Sequence, residues 1–375
     1  MTREEYKKAI EGVVWLVGCA ADGRIPERER LEAYDVHDLY TAAGSHMLAA
    51  AAGLALQSAG VEDAEFKAAV AASYRKTVIL DAERKIVFQK LDEAGIWHMP
   101  LKGTVLKDWY PKFGMREMVD CDVLIDASRE EDVRDIMVSL GFTVEAYGGG
   151  HHDVYHKLPI SSFEIHPRLF GPAYEQRFND YYDGVLDRLI RHNGYEFRFS
   201  PEDFYIFMVA HEYRHYSRGG VGLRSLLDVC VILKKLSDSL DWQYVETELS
   251  KLELTDFEEK NRLLAIRLFS GEPLAEAERE MLDYMIFSGT HGTVTNLVTN
   301  RVNRFGGGIG GKVKYTLTRI FLPMDTVKRI YPFFYRHKLL LPVLPIYRLI
   351  VNRRKSSWRQ EWKTLRSSDS SAAPR

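Results

Sequence analysis

Cysteine is scarce in this 375-residue chain: Cys19, Cys121 and Cys230 are the only three, and they are widely spaced. That excludes a disulfide framework, and with no CxxC pair it also excludes a cysteine-rich zinc site; the usage suits a reducing compartment, so the expected location is cytoplasmic. Long uncharged apolar runs are missing too. The longest candidate, LLLPVLPIYRLI at 339–350, is short and carries two prolines, so no transmembrane span is expected. The first twenty residues hold only a short apolar run behind an acidic pair and read as a helix, not a signal peptide. What is present, 46% apolar and 28% charged residues, is enough for a sizeable core and roughly two domains.

The net charge of −2 hides an asymmetry. Residues 311–375 hold 15 basic and 3 acidic side chains, a net +12, and the first 310 residues carry −14. Such a basic end suits a polyanion or an anionic membrane surface. The plainer reading is solvated helix faces attracted to the chain's own acidic part.

Apolar periodicity predicts helices over residues 1–93. They cover about 4–20, a second helix opening at Pro26, an Ala-rich helix over 42–60 with Ser45 as N-cap, and a long helix over 62–93. Gly53 weakens the third. Near residue 95 the pattern changes. WHMPLKG, CDVLID, FTVEAY, DVYHKL and SSFEIHP read as strands, with a helix over 130–141 closed by Gly141. From about 183 helical periodicity returns. The expected fold class is α+β: a small mixed-sheet core (94–182), a helical N-terminal region (1–93), a helical domain (183–310), a basic C-terminal extension (311–366) and a disordered tail (367–375).

The strongest chemical signal is LKGTVLKDWYPKFGMREMVDCDVLID, 101–126. Asp120 and Asp122 stand two apart at the mouth of a strand and so face one side. Like charges that close repel unless a cation intervenes, and Mg2+ with oxygen ligands is the natural one. Glu164, between apolar Phe163 and Ile165, joins them if its strand is the neighbour. Two carboxylates could then hold metal while the third acts as base. Read singly, each acid is equally well a turn cap or an edge-strand charge. Arg116 could clamp a phosphate, pair with Asp120, or lie on the surface. Lys102, directly before Gly103, reads as a phosphate contact ahead of a solvated lysine. Arg224 and Asp228 are i,i+4, an intrahelical pair or a nucleotide-facing arginine held by its aspartate. Cys121 should point into the core.

HEYRH at 211–215 fits the short zinc-hydrolase helix pattern, without the third ligand of the extended form. Glu212 faces away from the two histidines by helical periodicity and reads as solvated. GGGHHDVYH (148–156) offers His151, His152 and His156, which could join His166 on a metal or line a hairpin near the site. RFGGGIGGK (304–312) lacks the Ser or Thr of a phosphate loop and reads as a flexible connection.

Taken together these residues resemble the uncharacterised nucleotidyltransferase family of the polymerase-beta-like superfamily. The match is carried by Lys102, Gly103, Leu106, Arg116, Met118, Asp120, Asp122, Leu124 and Ile125, by Glu164 and His166, and by His211, His215, Gly220, Gly222, Arg224 and Asp228. The FLP, YP and LLPV elements at 321–323, 331–332 and 340–343 are similar as well. The resemblance implies metal at Asp120, Asp122 and Glu164. It places the NTP, with ATP first in expectation, near Lys102, Gly103, Thr104, Arg116, His166 and Arg224. Mg2+ or Mn2+ is the implied cofactor, and the acceptor, a small molecule, protein or tRNA, is not specified. Thr104 stands where serine is usual, and the wide spacing from Gly103 to Asp120 implies an inserted turn. The rival classes are a non-catalytic partner-binding helical protein with a degenerate transferase core, and a zinc hydrolase built on HEYRH.

Overall fold

The computed structural model describes residues 1–148, 150, 152–171, 175–290, 292–352 and 356–367. The chain forms two units: residues 1–213 with 223–279, and residues 214–222 with 280–375.

The first unit is built on a seven-stranded mixed sheet, an α+β arrangement. Its strands are β1 (His98–Pro100), β2 (Cys121–Ile125), β3 (Thr143–Ala146), β4 (Asp153–Lys157), β5 (Ser161–His166), β6 (Ile190–Asn193) and β7 (Glu196–Arg198), in the order β3-β4-β5-β2-β1-β7-β6. β5 runs parallel to β2 and antiparallel to β4. Alternation sorts the side chains. Cys121, Val123 and Ile125 from β2, Phe163 and Ile165 from β5 and Tyr155 from β4 share one buried cluster. Val87 and Leu91 of helix Ala64–Glu93, and Val133 and Met137 of helix Glu130–Ser139, complete it. The residues between them point to the other face, so core packing fixes where the acids go. The sheet outruns the boundary expected at 182: β7 pairs parallel with β1, and β6 with β7. Their sequences, IRHN and EFR, are mostly polar and carry no alternation to betray them.

The N-terminal helices differ from expectation at two points. Thr2 caps helix Arg3–Asp22 in a reciprocal box with Glu5, but only one turn, Arg28–Leu31, follows Pro26. Ser45 ends helix Val36–Ser45, its Oγ donating to Thr41 O, and does not cap the next helix. Helix Ala49–Ser58 starts behind Leu48, which offers no side-chain cap. Glu117 supplies one from the far side of the sequence, Oε1 accepting from Ala50 N–H at 2.9 Å. Gly53 is a packing residue: a Cβ there would lie 2.8 Å from Val70 Cγ2 and 3.1 Å from Phe66 O of helix Ala64–Glu93.

In the second unit, helices Val294–Arg304, Gly308–Ile320 and Ser356–Ser367 meet through Val298, Val302, Tyr315 and Leu365. The glycine-rich segment is therefore not a loose connection. Gly306 and Gly307 turn the chain at positive φ and the helix begins at Gly308. A Cβ on Gly311 would stand 2.4 Å from Val302 O, so glycine lets the two helices touch. The tail after Ser367 lies outside the described residues.

Candidate active site

The parallel register of β2 and β5 sets Asp122 directly opposite Glu164, and Leu124 opposite His166. All four point away from the core cluster. Asp122 Oδ1 accepts from Lys102 Nζ at 2.6 Å and lies 2.9 Å from His166 Nε2. Burial opposes the charge on Asp122, but the Lys102 ammonium and the His166 hydrogen bond prevail and hold its carboxyl far below the usual range. Asp120, just before β2, goes the opposite way. Burial, with the charges of Asp122 and Glu164 beside it, pushes its carboxyl up to about 7.

Lys102 reaches Asp122 from a strained backbone, φ 46° and ψ −122°, a region L-residues seldom enter. Strain of this kind costs of order 1–3 kcal/mol and persists where the surroundings enforce it. Here Leu101 N–H is held by Asp122 O on one side and Thr104 N–H by Leu101 O on the other. Thr104 faces inward. Its hydroxyl accepts from Asp122 N–H at 3.2 Å and lies 3.6 Å from Cys121 Sγ. That hydroxyl ties the turn to the strand. Cys121 is buried in the core cluster, as its alternation implies.

Arg116 is neither a surface residue nor paired with Asp120. It is buried, and its fork grips Asp228, Nε to Oδ1 and Nη2 to Oδ2, both at 2.8 Å. Tyr110 donates to the same carboxylate at 2.6 Å. Gly103 makes room for this pair: a Cβ there would lie 2.2 Å from Arg116 Nη1. The intrahelical Arg224–Asp228 pairing is thus displaced. Asp228 is taken by Arg116, and Arg224 Nη1 donates to Glu117 O at 3.0 Å and reaches Met47 Sδ. Ser73 Oγ donates to Gly114 O, so the inserted turn between Gly103 and Asp120 is pinned to three helices and delivers Asp120 to the sheet.

His152 was one of several histidines available on sequence grounds, and its position was not readable. It precedes β4 by one residue, on the face of Val154, which pairs with Glu164. Its Nδ1 lies 3.5 Å from Glu164 Oε2, and His166 Nε2 lies 3.6 Å from that same oxygen. Among the described residues these three form a group whose ligand atoms lie within 4.8 Å of one another. Donors about 2.1 Å from a common ion stand roughly 3.0–3.5 Å apart. His156 is not in the group and pairs with Glu145; His151 lies outside the described residues.

The HEYRH histidines are not in that group either. Glu212 is buried, contrary to the solvated reading, and its Oε2 accepts from Asn261 Nδ2 at 2.8 Å. Burial pushes its carboxyl from 4.5 up to about 7. Between those pH values the folded chain keeps a proton that the unfolded chain has lost, so stability falls as pH rises through that window. The full change is of order 3 kcal/mol. Denaturant midpoints from pH 4 to 8 should show this slope, and Glu212→Gln should flatten it.

The site thus sets carboxylates on adjacent strands, with a lysine-bearing turn and imidazoles at their side. The chain belongs to the uncharacterised nucleotidyltransferase family, whose model matches residues 32–270, well over half the sequence. That gives it a general role in nucleotidyl transfer. No curated protein and no solved structure matches the chain. No described helix is long and apolar enough to cross a membrane.

Proposed function

We propose that the protein moves a nucleoside monophosphate from an NTP to an acceptor, in a reaction that depends on a divalent metal. The observation that carries this reading is the register: Asp122 and Glu164 face each other across β2 and β5, with Asp120 close enough to feel the charge of both. Burial, and then the charges of Asp122 and Glu164, push the Asp120 carboxyl up to about 7; acids this close are relieved by a cation, and the converging ligand atoms of His152, Glu164 and His166 support a metal beside them. Asp120, Asp122 and Glu164 would hold it, with His152 and His166 beside Glu164. When bound, Mg2+ or Mn2+ supplies charge neutralisation of the triphosphate and leaving pyrophosphate.

The chain's own residues do the rest. Lys102, held 2.6 Å from Asp122 Oδ1, keeps a cation at the site before substrate arrives and can turn its ammonium to a phosphate oxygen. Glu164 stands partly open and is the group to take the acceptor's proton. His166, buried and bonded to Asp122, orients that carboxylate. Arg116, Gly103 and Asp228 position the turn that carries Lys102. A non-catalytic role is disfavoured because the three acids are intact and share one face.

ATP is the first nucleotide to try, and the acceptor is a small molecule, protein or tRNA. The test incubates the full chain with each α-labelled NTP, Mg2+ or Mn2+, and cell extract, and asks which label moves to which component. Nitrogen donors beside Glu164 favour Mn2+ over Mg2+. Half-maximal transfer is expected at a Mn2+ concentration at least about tenfold below that for Mg2+, and His152→Ala should narrow the gap. No label transfer with any NTP in either metal would refute the reading.

A further inference from the structure

Exposed apolar side chains crowd more densely in the second unit than in the first, among the described residues. Among the described residues, fifteen of the thirty-three exposed large apolar side chains fall between Ile309 and Val351. On helix Gly308–Ile320 the pattern is inverted. Gly311 and Tyr315 are buried, and Ile309, Val313 and Leu317, spaced i, i+4, i+8, are exposed, with Phe321 continuing the line. A stripe of that spacing normally faces a core. Here Ile309 is 83% and Phe321 67% exposed. Further along, Leu339 is 96% and Ile350 70% exposed. Exposed apolar side chains this dense along one stretch of chain mark a surface that something else covers.

The charge says what covers it. Residues 308–352 contain eight Lys or Arg and one acid, Asp325. Two of the cations are structural: Arg319 binds Glu361, and the buried Arg348 donates to Arg319 O. Lys314, Lys328, Arg336 and Lys338 are exposed. Aliphatic and aromatic side chains with exposed cations among them match an anionic lipid surface, where the apolar groups enter the acyl boundary and the cations meet headgroups. The same positive charge disfavours a second copy packed face to face, and RNA gives no use for exposed leucines and isoleucines. No helix here runs beyond 13 residues, which suits lying in the interface and not crossing it.

We propose that residues 309–351 form a peripheral docking face for anionic phospholipid membranes. This stands apart from the transfer reaction: it rests on a different unit, and either can fail without the other.

The test is flotation of the full chain with phosphatidylcholine vesicles, with and without about one-third phosphatidylglycerol. Partitioning onto the anionic vesicles should be at least about tenfold stronger, each exposed cation giving roughly a fivefold gain. Salt at about 0.5 M should weaken it and leave a residual, because the apolar part is not screened. Leu339→Glu with Ile350→Glu should cut binding more than about tenfold at every salt concentration, with an unchanged thermal melt, since both side chains are already in water. Lys314→Glu with Lys338→Glu should remove mainly the salt-sensitive part. Val138→Glu, on an exposed site of the first unit, should change nothing. Equal partitioning onto neutral and anionic vesicles would overturn the proposal, as would wild-type binding by the Leu339→Glu, Ile350→Glu pair. So would a lipid-free dimer that this pair dissolves, or RNA binding without vesicle binding.

Discussion

Asp122→Asn is expected to lower nucleotide transfer by at least about a thousandfold, the scale of losing a principal electrostatic group in an active site. The substitution keeps the side chain's shape and removes the charge that both Lys102 and His166 address. It also removes the Asp122 charge that adds to burial in raising the Asp120 carboxyl, so that carboxyl should fall part of the way from about 7, which NMR titration can follow. Asp120→Asn should cost a similar factor in transfer. It removes a strained charge and not a paired one, so the metal-free chain should be as stable as wild type or more so. Glu164→Gln should depress turnover more than nucleotide affinity if that residue takes the acceptor's proton. Measured together, kcat and nucleotide Kd separate these roles. Wild-type transfer by Asp122→Asn would be incompatible with the assignment.

Asp228→Asn should be the most damaging single change to stability in the first unit. It strands the buried Arg116 guanidinium without its carboxylate and weakens the Tyr110 bond. Breaking one side of a buried ion pair typically costs about 3–5 kcal/mol, against a total stability of roughly 5–15 kcal/mol. The companion change Arg116→Met removes the stranded charge, so the double variant should recover part of the loss. Gly103→Ala attacks the same pair sterically and should also destabilise, since its Cβ falls on Arg116 Nη1. Urea midpoints of the single and double variants measure the coupling; simple additivity would mean that Arg116 and Asp228 do not act together.

Much of this site was legible in sequence because alternation does two things at once. In CDVLID and SSFEIHP the residues that make the core also force Asp122, Glu164 and His166 to the opposite face. The partners were not legible. Asp228 lies 112 residues from Arg116, and its i,i+4 neighbour Arg224 offered a local pairing that the fold does not use. Glu117 as cap for Ala50 has the same character: nothing near Leu48 announces it. Thr104 is placed near the nucleotide by resemblance alone, and only the turn's geometry aims its hydroxyl at Asp122 N–H. β6 and β7 were missed because neither has a buried face. Glu212 was misjudged because helix periodicity says which residues share a side, and not which sides are covered.

Paired labelling tests the central claim most directly. The full chain is given NTP labelled at the α- or the γ-phosphate, with Mn2+ or Mg2+ and cell extract, and Asp122→Asn is run alongside. The α label should move to an acceptor and the γ label should leave in pyrophosphate, with both signals lost in the variant. Transfer of the γ label to the acceptor, or α-label transfer undiminished in Asp122→Asn, would contradict nucleotidyl transfer at this carboxylate face.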